Sequence, residues 1–152
     1  MKILITGVSG CIGNAVAKEL LAKGYDVIGI DTQVLNKNFQ NSKFKFINGS
    51  ILDKTFLRDA VAGCDAVVHL AAHLGVKRTE VNRLRCLDIN VDGTKNVLEA
   101  AHSTGTVKKF IFASSSEVYG EPIENPVSEN SITQGKTIYA ISKLAGEELV
   151  KA

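Results

Sequence analysis

The chain has 152 residues, 45% of them hydrophobic and 22% charged, with a formal net charge of +2, which is the balance of one globular domain. Its charges are interspersed without a basic run, pointing away from nucleic acid and membrane surfaces as partners. No apolar stretch approaches the roughly 18 residues of a transmembrane helix. The apolar opening is a short strand ending in Thr6-Gly7, not a secretory signal. Cys11, Cys64 and Cys86 are odd in number and lack metal-binding spacing. They read as reduced thiols in a cytoplasm, and no metal is expected.

In chain order, Lys2–Thr6 reads as a strand. Cys11–Lys23 reads as a helix whose Ile12, Val16, Leu20 and Leu21 recur at helical spacing before Gly24 closes it. Asp26–Ile30 is a second strand. The segment Thr32–Ser42 is polar, rich in Asn and Gln, and reads as a loop or a short helix. Phe44–Ile47 is a third strand, and Asp53–Ala62 a helix with Asp53 as its N-cap. Asp65–Leu70 is a fourth strand, apolar enough to lie inside a covered parallel sheet. A long helix is predicted from about Leu84 to Ser103, with Leu87, Val91, Val97, Leu98 and Ala101 as its core side. Lys108–Ser114 is a fifth strand, Gly120–Lys136 a surface loop holding both prolines, and Thr137–Lys151 a final helix. Such alternation predicts an α/β fold, a doubly wound parallel sheet of the Rossmann type with right-handed crossovers and strand order 3-2-1-4-5. Residues 1–152 form one domain, or the front of one.

Gly7, Gly10 and Gly13 follow the first strand and open the first helix with G-x-x-G-x-x-G spacing. Glycines there permit a tight turn, let backbone N–H groups approach a pyrophosphate, and let the helix pack close on the strand. The free N–H groups and positive dipole end of that helix, at Cys11 and Ile12, then face phosphate. Asp31 ends the second strand 18 residues after Gly13. It can accept from both adenosine ribose hydroxyls and would repel a 2′-phosphate, favouring NAD over NADP. A glycine turn in some other α/β protein is the plain alternative. Near the other end, Tyr139-Ala-Ile-Ser-Lys143 sets a phenol and an ammonium one helical turn apart. That pair is either a proton-abstracting unit or an ordinary amphipathic helix pair.

Taken together, these features resemble the extended short-chain dehydrogenase/reductase family of nucleotide-sugar epimerases, dehydratases and decarboxylases. The resemblance covers the whole chain. It is carried by Thr6-Gly-Val-Ser-Gly-Cys-Ile-Gly13, Asp31, His69-Leu-Ala-Ala72, Asn90-Val-Asp-Gly-Thr94, Ser114-Ser-Ser-Glu-Val-Tyr-Gly120 and Tyr139-Ala-Ile-Ser-Lys143. It implies that Ala71 and Ala72, after Leu70, form the floor beneath the nicotinamide-side ribose and phosphate. It implies that Asn90 helps to hold the fourth strand's turn and the active-site waters. Ser115 falls at the catalytic Ser/Thr position, Tyr139 would be the base, and Lys143 its partner. Ser50-Ile51 fall where the family usually carries Asp-Ile or Asp-Val against the adenine; serine carries no charge, so a weaker adenine contact is expected.

A free tyrosine, with a pKa of about 10, is a poor base at neutral pH. Under the resemblance, Lys143 stabilises the phenolate, since a nearby opposite charge commonly shifts a pKa by about 1–3 units. Its ammonium could also bond the ribose hydroxyls. Ser115 would share the proton of the substrate oxygen, and hydride would pass from a sugar carbon to NAD, giving a transient ketone. Glu117 resembles an acid common in the family's dehydratases and decarboxylases, where a second base serves the keto intermediate; a solvated loop glutamate is the bland alternative. Ser116 stands where the 4,6-dehydratases carry Asp, which counts against that reaction. The leading expectation is an NDP-sugar 4-epimerase. A UDP-uronate decarboxylase or dehydratase using Glu117 is the second, and an NAD-binding module without catalysis of its own the third. His69 reads as a satisfied core residue, His73 as part of the loop after Ala72, and Cys11 as a small residue packing beside the glycine turn.

Members of the family are much longer, so the lobe that clamps the nucleotide-sugar substrate is expected outside these residues. A piece of a longer enzyme is favoured over a split or naturally short one. The fifth strand would then be an apolar sheet edge. The family's subunits often pair through helices matching Leu84–Ser103 and Thr137–Lys151, so a homodimer is expected, or a second chain supplying the missing lobe.

Overall fold

Along the first strand, β1 (Lys2–Thr6), Ile3 and Ile5 point to one face and Leu4 to the other, and this alternation divides the core into two layers. The computed structural model describes residues 1–35 and 40–152. The expectation of a loop or short helix over Thr32–Ser42 falls partly outside them, and its described residues belong to no helix or strand. With β2 (Asp26–Asp31), β3 (Phe44–Asn48), β4 (Ala66–His69) and β5 (Lys109–Phe112), β1 forms a five-stranded parallel sheet of order 3-2-1-4-5, as the sequence predicts. In register, Thr6 stands between Ile30 and His69. The ends of β1 and β4 therefore meet where the strand order reverses, the place where such sheets open a ligand crevice.

Helix α1 (Cys11–Ala22) buries Gly13, Ala17 and Leu21, four residues apart, in the layer that holds Ile3, Ile5, Val27 and Val68. Ile12, expected on the core side, is instead 66% exposed. The inner face of α1 is set by Gly13, and a neighbouring residue is rotated by about 100° from it. Helix α2 (Lys54–Val61) is capped by Asp53, whose carboxylate accepts from Phe56 N at 3.0 Å, as expected.

The single helix expected over Leu84–Ser103 is composite and begins earlier. It comprises α3 (Val76–Val81), α4 (Arg83–Leu87), a π-helical turn over Asp88–Asp92, and α5 (Gly93–Thr104). Asn82, at φ −128° and ψ 62°, breaks the first two apart. Leu84 is 76% exposed, while Val97, Ala100 and Ala101 join Leu57, Val61, Leu4 and Val67 in the second core layer. Strand β5 pairs with β4 and leaves Ile111 46% exposed at the edge. A 3₁₀ turn (Ser116–Tyr119) and an exposed loop lead to α6 (Ile138–Lys151). Its N-cap, Thr137, accepts from Ala140 N at 3.0 Å. Among the described residues no helix is long and apolar enough to cross a membrane.

Candidate active site

The turn after β1 is shaped by contacts that exclude side chains. Gly7 has φ +74°, and a Cβ there would lie 2.8 Å from Ala71 N; one at Gly13 would collide with the Gly7 carbonyl oxygen. Gly7 N donates to Ile30 O at 2.9 Å and Gly10 N to Gly7 O at 3.1 Å. Gly7 and Gly10 form one wall of a cleft of about 410 Å³ that also includes Asp31, Ser50, Ile51, Leu70, Ala71 and Ala72. Cys11 stands exposed at the start of α1, not packed beside the turn; the helix turns its Gly13 face inward instead. Asp31 lines the cleft with Oδ2 accepting from Ser9 N at 3.0 Å and Oδ1 from Gln33 N at 2.9 Å. A carboxylate has about four lone-pair sites, so each oxygen keeps capacity for a ligand hydroxyl. At the far corner, Ser50 Oγ accepts from Leu52 N at 3.2 Å, and the Ile51 carbonyl accepts from Asn96 Nδ2 at 3.2 Å.

The opposite side of the turn is held by a directed chain of hydrogen bonds. Thr6 Oγ1 accepts from Leu70 N at 3.1 Å and Ala71 N at 3.0 Å. Its own proton then goes to His69 Nδ1, 2.7 Å away. The ring proton must sit on Nε2, which donates to Thr94 Oγ1 at 2.9 Å, and Thr94 donates to the Asn90 carbonyl at 2.6 Å. Burial pulls His69 down to about 3, with the Lys143 charge acting in the same direction, so the ring is neutral. It is the satisfied core residue expected from sequence. Asn90 extends the chain. Its Oδ1 accepts from His73 N at 2.7 Å, and its Nδ2 donates to His73 O at 3.0 Å and Ser142 Oγ at 2.9 Å. Ser142 donates to Tyr139 O at 2.7 Å. The Leu70–His73 segment is thereby tied to α6. The ring of His73 leaves a buried Nε2 without a partner among the described residues.

Ser115, Glu117, Tyr139 and Lys143 come together at the end of β5. Ser115 caps the 3₁₀ turn, accepting from Glu117 N at 3.3 Å, and its hydroxyl approaches the Tyr139 phenol closely enough to act on its pKa. Lys143 is 4% exposed. Its Nζ donates to Ala113 O at 2.9 Å and lies 4.8 Å from the Phe112 ring centroid and 5.8 Å from that of Tyr139. Burial pulls this ammonium down to about 8. The expectation that Lys143 lowers the Tyr139 pKa is corrected. Burial pushes the phenol above its ordinary value, the Glu117 charge pushes it further, and the Ser115 hydroxyl opposes only in part. The ammonium is engaged by Ala113 and Phe112, and it is not among the groups that shift the phenol. Glu117 is no solvated loop residue either: its Oε2 accepts from Thr137 Oγ1 at 2.9 Å, fastening the 3₁₀ turn to the cap of α6. The sequence motifs include Thr6 and Thr94 without giving either a role of its own, and they leave out Arg78 and Arg85, which line the cleft from α3 and α4.

The profile of the NAD dependent epimerase/dehydratase family matches residues 3–152. Similar proteins include a UDP-N-acetyl-alpha-D-glucosaminuronate decarboxylase of Bacillus cytotoxicus, 38% identical over 164 residues, covering 97% of this chain and 48% of the relative. A UDP-glucose 4-epimerase of Streptomyces lividans is 33% identical over 155 residues, covering 98% and 46%. The structure of MoeE5 in complex with UDP-glucose and NAD superposes with a TM-score of 0.89 at 32% identity, over 98% of this chain and 48% of that one. The chain spans about half the length of the curated relatives it matches.

Proposed function

We propose that this chain, which belongs to the NAD-dependent epimerase/dehydratase family, binds NAD across the cleft and supplies the base of an NDP-sugar 4-epimerase. The supporting observation is the physical continuity of two groups of residues. The glycine turn is linked through Thr6, His69, Thr94, Asn90 and Ser142 to the helix carrying Tyr139 and Lys143. The cleft suits a dinucleotide. A Cβ at Gly10 would meet little protein, with only Gly7 O at 3.3 Å, so the absent side chain leaves space beside the free N–H groups of α1.

NAD, when bound, supplies a hydride acceptor. The chain's residues bind and orient. The N–H groups at Cys11, Ile12 and Gly13 face the phosphates beside the space left at Gly10, and Asp31 accepts from the adenosine ribose. Ser50 and Ile51 bound the adenine, and Leu70, Ala71 and Ala72, held by Thr6 and Asn90, form the floor. Lys143 bonds the ribose hydroxyls and keeps positive charge near the phenol. Tyr139 takes the substrate hydroxyl proton, which Ser115 shares.

Glu117 supports a second reading. It is close enough for its charge to raise the Tyr139 pKa, and a uronate decarboxylase is among the similar relatives. As a second base it would direct the reaction toward decarboxylation or dehydration of a UDP-uronate. A third reading, an NAD-binding module, predicts affinity without turnover.

The test joins this chain to a substrate-binding half and offers it UDP-hexoses and UDP-uronates. C4-epimerised product, abolished by Tyr139→Phe, is expected. Carbon dioxide release abolished by Glu117→Gln would favour the second reading, and NAD uptake without any product the third. The same preparation is expected to sediment as a dimer paired through Leu84–Ser103 and Thr137–Lys151; a monomer at high concentration would reject that pairing.

A further inference from the structure

The cleft carries more positive charge than the roles above use. Of the three arginines on α3 and α4, Arg83 is engaged, its guanidinium meeting Glu80 at 2.7 Å. Arg78 and Arg85 line the cleft, and neither has an ion-pair partner among the described residues. Each neighbours a buried anchor: Thr79 beside Arg78, and Cys86 beside Arg85. Cys86 Sγ reaches Ser142 Oγ of α6 at 3.8 Å, so the segment bearing Arg85 is fastened to the floor network. The acid that lines the same cleft, Asp31, already has both oxygens accepting from backbone N–H groups. Two guanidinium groups of like sign in one concave site focus positive potential on it. They suit an anion with at least two charges, because a guanidinium presents paired donors that match phosphate oxygens.

We propose that Arg78 and Arg85 form a diphosphate clamp, closing on the nucleoside diphosphate of a ligand in this cleft from a wall separate from the glycine turn. The proposal rests on the reading that a dinucleotide occupies the cleft. The diphosphate itself could be that of NAD or that of an NDP-sugar. With the glycine turn lining the same cleft, the clamp is assigned first to NAD. The N–H groups of the turn and of α1 would hold one side of the bridge and the two side chains the other. The ligand would supply the counter-charge that Asp31 cannot.

Calorimetric titration of the wild-type chain and the Arg78→Gln, Arg85→Gln and double variants with NAD, ADP-ribose, UDP and adenosine tests the clamp. Charge-assisted bonds of this kind correspond to roughly ten-fold or more in affinity each. Each single variant is therefore expected to lose about ten-fold in affinity for NAD and ADP-ribose and the double variant about a hundred-fold, with a shallower salt dependence and no change for adenosine. Loss confined to UDP would keep the clamp and assign it to the sugar nucleotide. Unchanged affinity for NAD, ADP-ribose and UDP in a double variant whose wild-type parent binds NAD would overturn the clamp alone. No NAD uptake by the wild type would reject the cofactor reading, and the clamp with it. Both side chains are exposed, so the variants should fold, which an unchanged melting temperature verifies.

Discussion

A histidine set between two threonine hydroxyls has its proton placed by them, and His69 shows the consequence. Thr6 is committed to two backbone N–H groups, so it can only donate to Nδ1. Burial then holds the ring neutral down to about 3, against about 6.5 in an unfolded chain. Between those values the unfolded state binds the proton and the native state does not. Stability therefore rises with pH across that window, is fully present above about 6.5, and is lost toward pH 3. Lys143, pulled down to about 8 by burial, gives the same sign in a higher window, with stability rising from about 8 to the ordinary lysine value of about 10.4. Urea unfolding measured across pH should show both slopes. His69→Gln is expected to flatten the acidic one and Lys143→Met the alkaline one, whatever each variant's absolute stability; unchanged slopes would contradict both assignments. The sequence marks His69 as a core residue because it ends an apolar strand. It could not show that two threonines, 63 and 25 residues away in the chain, fix its tautomer.

At the scale of elements, the glycine turn was readable because each glycine answers a local need, yet the three needs differ. Gly13 lets α1 approach the Gly7 carbonyl, whereas Gly10 borders open cleft. Gly13→Ala should overpack this contact, costing about 1–3 kcal/mol in thermal unfolding. Gly10→Ala should leave the melting temperature nearly unchanged but weaken NAD at least about ten-fold by displacing phosphate. Equal thermal effects of the two would contradict this division of roles. The helix read over Leu84–Ser103 shows where periodicity runs short. A π-helical turn of five residues has no residue signature that periodicity detects, and the break at Asn82 falls before the start that periodicity marks. The turn nevertheless presents the Asn90 carbonyl to Thr94 and its side chain to His73. Arg78 escaped notice for a related reason: α3 is six residues long and carries too little periodic signal to separate from a loop.

For the whole molecule, strand order and the two-layer core follow from alternation within short apolar strands, so both were legible before any geometry. Which residues meet at the cleft was legible only in part. Gly7, Asp31 and Ala71 converge because β1, β2 and β4 are neighbours, whereas Tyr139 is drawn in through Asn90 and Ser142, which spacing alone does not reveal. The chain matches about half the length of its curated relatives, and the residues it brings together bear on cofactor placement. The most direct test is a crystal structure of the chain with NAD bound. The diphosphate is expected against Gly10–Gly13, the adenosine ribose on Asp31, and the nicotinamide near enough to the Tyr139 hydroxyl for one substrate carbinol to bridge them. A dinucleotide bound elsewhere, or a nicotinamide ring directed away from Tyr139, would contradict it.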